Sequence, residues 1–292
     1  MQPGKRLRPQ LVRIASDMFN GDPEQTGYIA AAFEMLHNFT LIHDDIMDKA
    51  DVRRGQPTVY KKWNGNTAIL AGDALAVMAM QELLKLKCDP TIILDIIDIF
   101  GQTAVEVCEG QQYDLDFETM DNVSIEEYIQ MIRLKTSVMF AGCLKAGGRF
   151  AGADKESLQA LYDLGIHLGL AFQMQDDLLD GYGVTAVFGK KTGQDIRDNK
   201  ISFLPLTALK NANEEQRKEL LALFAAKDNM DEEEKVRRVL ALYQAMNLKN
   251  TIEKAIADEF ETARKELDGI HADEPRKTPL RELMETLNGR KK

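Results

Sequence analysis

Apolar residues recur three or four positions apart along nearly the whole chain, and strand-like alternation is almost absent. That period restricts the chain to helices packed on helices. From Tyr28 to Asp48 it sets Phe33, Leu36, Phe39 and Leu41 about a turn apart, and Thr67 to Leu86 and Ile92 to Asp116 read the same way. Ser124-Ile125-Glu126-Glu127 has the capping-box form, so a helix starts there. The pair Gly147-Gly148 marks its expected stop. Another long helix is expected from about Asp154 to Asp180, then Gly181-Tyr182-Gly183 and a polar loop through Asn199. Shorter helices follow, broken near Asn211 to Asn213, Asp228-Asn229 and Asn247. With no repeat and no Pro/Ser-rich linker, residues 1–292 read as one all-α domain. Ordinary helix lengths divide such a chain into roughly ten or more helices.

A chain of 292 residues buries a sizeable core. Its 47 acidic against 37 basic residues give a net charge of −10, and no basic stripe stands out, which argues against a nucleic-acid partner. Cys88, Cys108 and Cys143 are scattered and lack metal-ligand spacing, so they read as reduced thiols and small core residues of a cytoplasmic chain. No signal peptide opens the chain, and no apolar run approaches the ~20 residues of a membrane span. The opening Met1-Gln2-Pro3-Gly4 leads at once into a basic segment, which suggests that an N-terminal helix is missing or shortened.

Two aspartate clusters carry the chemistry. Asp44-Asp45-Ile46-Met47-Asp48 ends the second helix, and Asp176-Asp177-Leu178-Leu179-Asp180 ends the long later one. In each, the first and last aspartates are four apart and share a helix face, where like charges repel. Both clusters sit in apolar sequence, and buried unpaired carboxylates are expensive. A divalent cation offsets that cost, and carboxylate oxygens suit Mg²⁺.

Basic residues form the counterpart: Gly4-Lys5-Arg6-Leu7-Arg8-Pro9, Arg53-Arg54-Gly55, Lys135-Thr136, Gly189-Lys190-Lys191 and Lys200. Guanidinium forks and lysine point charges are the usual ligands of phosphate groups.

With Gly110-Gln111-Gln112-Tyr113-Asp114-Leu115 between the two clusters and Phe172-Gln173 before the second, the chain resembles the trans-prenyltransferases. That family includes the farnesyl and geranylgeranyl diphosphate synthases. The resemblance runs in order from Gly4 to about Lys200. It implies a helical barrel around a deep central cavity, usually homodimeric, that condenses isopentenyl diphosphate with an allylic diphosphate. Lys5, Arg8, His37 and Arg54 then resemble the isopentenyl diphosphate ligands. Asp44, Asp48 and Asp176 resemble the magnesium ligands, with Asp45, Asp177 and Asp180 supporting. Arg53, Lys135, Thr136, Gln173, Lys190 and Lys200 match residues around the allylic diphosphate. About three Mg²⁺ ions per site are implied, with Mn²⁺ as a substitute. In such chemistry the allylic diphosphate ionises, the isopentenyl double bond attacks the cation, and a proton is lost. Asp44, Asp176, Arg53, Lys135 and Lys190 would assist the departure of the diphosphate, and no protein nucleophile is needed.

Phe39 and Thr40 lie five and four residues before Asp44, about 6–7.5 Å deeper along the helix. A bulky residue beside a small one there resembles the floor of geranylgeranyl synthases, which favours a C20 product with C15 next. The loop from Gly181 to Asn199, carrying Lys190, is a candidate closing element. Glu34-Met35-Leu36-His37 has the Glu-x-x-His form of a di-iron bundle, but no second copy accompanies it. A terpene cyclase would carry a different second metal motif. A silent or regulatory subunit of a heteromeric synthase would usually lack one of the two aspartate motifs.

Overall fold

The computed structural model describes residues 6–120, 122–183, 193–226 and 230–290. They are helical almost throughout, as the apolar period requires. In order, the first helices are α1 (Leu7–Met18), α2 (Pro23–Met47), α3 (Val59–Lys62), α4 (Gly65–Leu83), α5 (Pro90–Phe117) and α6 (Ile125–Ile132). A π-helical turn, Arg133–Ser137, joins α6 to α7 (Val138–Phe150), and α8 (Lys155–Tyr182) follows. The rest comprises α9 (Gln194–Arg197), α10 (Phe203–Asn211), α11 (Glu214–Ala225), α12 (Glu232–Ala245), α13 (Leu248–Gly269) and α14 (Glu274–Asn288). The strands β1 (Val52–Arg53) and β2 (Gln56–Pro57) make one antiparallel hairpin.

Local chemistry sets these boundaries. Asp22 accepts a hydrogen bond from the Gln25 N–H, and Pro23 takes the first helical position of α2. The expected capping box of Ser124 and Glu127 opens α6, and Asn213 with Gln216 makes a second at α11. Each such cap contributes about 1 kcal/mol. Asp154 caps α8 by accepting from the Ser157 N–H.

Three expectations change. Gly147 and Gly148 do not end a helix; α7 runs through them to Phe150. A Cβ on Gly147 would lie 2.3 Å from the Val12 carbonyl oxygen, so this glycine lets α7 approach the backbone of α1. The stretch before Asn199 is not all loop, because α9 interrupts it. Cys143 is buried as expected, but Cys108 is exposed. The expected break at Asp228-Asn229 lies outside the described residues.

The chain divides into two compact units. The first holds Met1–Val105, Met139–Gly165 and Glu266–Arg281. In it α2 packs on both α1 and α4. Leu11, Ile29, Phe33, Phe100 and Phe140 are buried there, with Phe33 and Phe100 edge to face at 5.4 Å. On the other side of α4, Leu70, Val77 and Leu84 recur every seventh residue and stay 68%, 61% and 68% exposed, flanked by Ile69 and Met78. The second unit holds Glu106–Val138, Ile166–Lys265 and Glu282–Lys292. Its core includes Tyr128, Ile132, Leu168, Phe203, Leu220, Tyr243 and Phe260. No helix among the described residues is long and apolar enough to cross a membrane.

Gly147→Ala should lower unfolding stability by about 1–3 kcal/mol, the usual range for overpacking. Urea denaturation measures it, and an unchanged midpoint would mean that α1 and α7 separate at no cost.

Candidate active site

In the first unit, α2 delivers one aspartate motif at its end. Asp44 and Asp45 fall in its last turn and Asp48 is the C-cap. Asp45 is buried and accepts a hydrogen bond from Arg53 Nε at 2.6 Å. Burial holds the Asp45 carboxyl above its ordinary value, while Arg53 opposes that shift. Arg53 reaches it from β1, because the hairpin turns tightly through Arg54 and Gly55 with φ of 53° and 74°. Asp44 is half-buried and Asp48 is exposed.

His37 stands two turns before Asp44 on α2. Burial first, then the charges of Arg8, Arg54 and Arg53, push its pKa down to about 2. A neutral imidazole thus lies in the field of three guanidiniums, with carboxylates at the helix end. Arg8, from α1, is held over the Phe140 ring at 5.1 Å. Phe39 packs on the His43 ring at 4.7 Å, and Thr40 donates its hydroxyl to the His37 carbonyl at 2.8 Å.

In the second unit, Gly110 on α5 lies so close to the π turn that a Cβ would sit 2.3 Å from Lys135 N. One turn later Asp114 pairs with Lys135 Nζ at 2.6 Å. The π turn widens the helix by one residue where Lys135 and Thr136 leave it, a distortion frequent at functional sites. Thr136 donates to Gln173 Oε1 at 3.1 Å, and Gln173 Nε2 donates to Asp177 Oδ1 at 3.1 Å. Asp177 Oδ2 accepts from the Tyr128 hydroxyl at 2.5 Å and from the Phe203 N–H at 3.0 Å. Burial pushes Asp177 up to about 7 against these donors, and it pushes the Tyr128 phenol up as well. Asp180 is also buried and accepts from the Asp195 N–H at 3.0 Å. The Asp176 side chain remains 34% exposed.

Sequence-predicted residues therefore gather in two sets. Arg8, His37, Arg53 and Arg54 accompany Asp44, Asp45 and Asp48 in the first unit. Lys135, Thr136 and Gln173 accompany Asp176, Asp177 and Asp180 in the second. Lys200 is exposed, with its N–H on the Asp195 carbonyl, and borders a groove of about 440 Å³ with Leu206, Lys210 and Leu221. Lys5 and Lys190 lie outside the described residues, as do residues 184–192 of the candidate closing loop. Sequence reasoning missed Tyr128, the Phe203 backbone and the π turn. Only Gly110 and Asp114, four apart on one helix face, signal the packing that shapes that turn. Both motifs offer carboxylate oxygens alone. In each, the middle aspartate is taken by protein donors while the first is left closer to solvent, a donor set that fits Mg²⁺.

A family model described as polyprenyl synthetase matches residues 1–243. The chain belongs to the polyprenyl synthetase family. Among its polyprenyl synthetase relatives, the geranylgeranyl diphosphate synthase of Methanosarcina mazei is 42% identical over 205 residues, covering 70% of this chain and 63% of that one. The matched segment thus spans a little under two thirds of that relative. A crystal structure of a geranylgeranyl pyrophosphate synthase is similar with TM-score 0.94 and 41% identity, over 99% of this chain and 89% of that one. A geranylgeranyl pyrophosphate synthase from Corynebacterium glutamicum, solved with isoprenyl diphosphate and magnesium, is similar with TM-score 0.87 and 28% identity, over 99% and 87%. The isoprenoid synthase fold implied by the motifs is thereby shown.

The state of His37 has a consequence for stability. An unfolded chain protonates this residue as pH falls through about 6.5. The folded chain resists until about 2, so folding loses stability across that window. His37→Gln should flatten the acid-side decline, so the stability gap between wild type and variant shifts in the variant's favour from pH 7 to pH 5. Urea melts at the two pH values test this, and a constant gap would refute it.

Proposed function

We propose that this polyprenyl synthetase lengthens an allylic diphosphate with isopentenyl diphosphate, with a C20 product favoured and C15 next. The observation that carries the reading is the neutral His37 in the field of Arg8, Arg53 and Arg54, on the helix that ends in Asp44 to Asp48. Three guanidiniums whose charges all reach His37 repel one another, and a diphosphate relieves that repulsion by forked hydrogen bonds. A neutral imidazole donates to the same anion without adding charge. The names of the relatives support the C20 preference.

Asp44, Asp48 and Asp176 would hold Mg²⁺, about three ions by family resemblance, with Mn²⁺ as a substitute. When bound, Mg²⁺ draws negative charge from the departing diphosphate. Asp45, Asp177 and Asp180 keep the ligands in place through their bonds to Arg53, Tyr128 and the backbone of α9 and α10. Arg53, Lys135 and Lys190 stabilise the charge on the leaving group, and Thr136, Gln173 and Lys200 orient it. Lys5, Arg8, His37 and Arg54 bind isopentenyl diphosphate. Phe39, braced by His43, stops the growing chain, with Thr40 leaving room beside it.

We place the functional chain, residues 1–292 as one prenyl synthase domain, in the cytoplasm as a homodimer. The exposed seam of Leu70, Val77 and Leu84 supports the dimer, because seven-residue spacing is what a facing helix reads.

Purified protein, Mg²⁺ and radiolabelled isopentenyl diphosphate should be incubated with dimethylallyl, geranyl or farnesyl diphosphate and the hydrolysed products sized. A discrete C20 alcohol is expected, lost with EDTA and reduced on the order of 100-fold or more in Asp44→Ala. No extension from any primer would favour a silent subunit. In the same assay Phe39→Ala should yield chains longer than wild type, and an unchanged product would remove Phe39 from the floor.

A further inference from the structure

The turn that follows α14 docks on the face of α8 that carries Asp176. Phe172, Gln175 and Asp176 stand at i, i+3 and i+4 and share one helix face. Each holds one group of the turn. Gln175 Nε2 donates to the Asn288 carbonyl at 3.2 Å. The Arg290 guanidinium lies over the Phe172 ring at 4.6 Å from its centroid. Arg290 Nη1 is 2.6 Å from Asp176 Oδ1. The Arg290 side chain is only 13% exposed, so this cation is seated in the fold rather than swept through solvent.

We propose that Arg290 is the resident counter-cation of Asp176, and that a divalent metal and the docked turn compete for that carboxylate. The proposal rests on reading Asp176 as a metal ligand. Asp176 and Asp180 are like charges one turn apart at the end of α8, and such a pair is stabilised by a nearby cation whether or not metal is bound. Arg290 supplies it before metal arrives. Metal–oxygen bonds to Mg²⁺ are about 2.0–2.1 Å. A metal on Oδ1 would therefore face the guanidinium at contact distance, and two cations so close repel strongly. The Gln175–Asn288 hydrogen bond and the Phe172 ring contact are each worth on the order of 1 kcal/mol, a scale that a bound metal can match, so the turn can yield. Linkage is reciprocal: whatever factor the docked Arg290 takes from metal affinity, bound metal takes from docking.

Manganese binding to the full chain, followed by electron paramagnetic resonance without any diphosphate, tests this in wild type, Arg290→Gln and Asp176→Asn. Arg290→Gln should bind Mn²⁺ more tightly by about fivefold or more, and Asp176→Asn should bind it more weakly. Weaker binding in Asp176→Asn with unchanged or weakened binding in Arg290→Gln overturns the competition. Wild-type binding in Asp176→Asn instead overturns Asp176 as a ligand. Amide exchange on the wild-type protein guards against a misfolded variant. The Gly289 and Arg290 amides, bonded to the Glu285 and Leu287 carbonyls, should exchange faster with saturating Mn²⁺. Unaltered exchange there also overturns the proposal.

Discussion

Three carboxylates on one turn of helix repel one another, and the way each motif disposes of its middle aspartate governs much of the surrounding structure. In the first unit Asp45 is turned inward and fixed by Arg53, so the hairpin that carries Arg53 and Arg54 is tied to the end of α2. In the second, Asp177 is fixed by Tyr128 of α6, Gln173 of α8 and the first N–H of α10. A buried carboxylate stripped of those donors would cost several kcal/mol, so the three helices are locked in one register. Burial still outweighs the donors at Asp177 and pushes its carboxyl up to about 7. Its bond to the Tyr128 hydroxyl is thus a partner for a desolvated carboxyl as well as a structural tie.

The same register disposes the polar groups around the second motif. Gly110 permits α5 to touch the backbone at Lys135, and Asp114 then captures the Lys135 ammonium. That contact falls on the π turn, whose extra residue changes the direction in which Lys135 and Thr136 leave the helix. Thr136 is in turn bonded to Gln173, and Gln173 to Asp177. Threonine, glutamine and aspartate form one hydrogen-bonded chain beside the Lys135–Asp114 pair, and such mutual orientation is what binding a polyanion in fixed geometry requires.

Helix content, most helix starts and both aspartate motifs were legible in the chain because they rest on local chemistry: period, caps and like charges four apart. The division of labour within each motif was not, because Asp44 and Asp45 are the same residue type and only the partners distinguish them. Gly147 and Gly148 were misread for a related reason. Glycine serves equally to stop a helix or to bring two backbones together, and the Val12 carbonyl that decides between these lies 135 positions earlier in sequence. The π turn at Arg133–Ser137 was likewise invisible, since its sequence suits an ordinary helix. Arg290 was passed over because a short basic run beyond the last helix carries no pattern that singles out one of its members.

A net charge of −10 runs against the proposed binding of diphosphates, and the distribution of charge resolves the conflict. Many carboxylates are spent on solvated ion pairs such as Glu261 with Lys265 or Asp258 with Lys254, where water screens them over a few ångströms. Arg8, Arg53 and Arg54 instead act on the half-buried His37, where screening is weaker than in bulk solvent and each charge reaches further. His37 registers that field by refusing its proton. The protein as a whole is acidic, whereas the place where an anion would dock is positive, and association with small polyanions responds to the local potential rather than to the total.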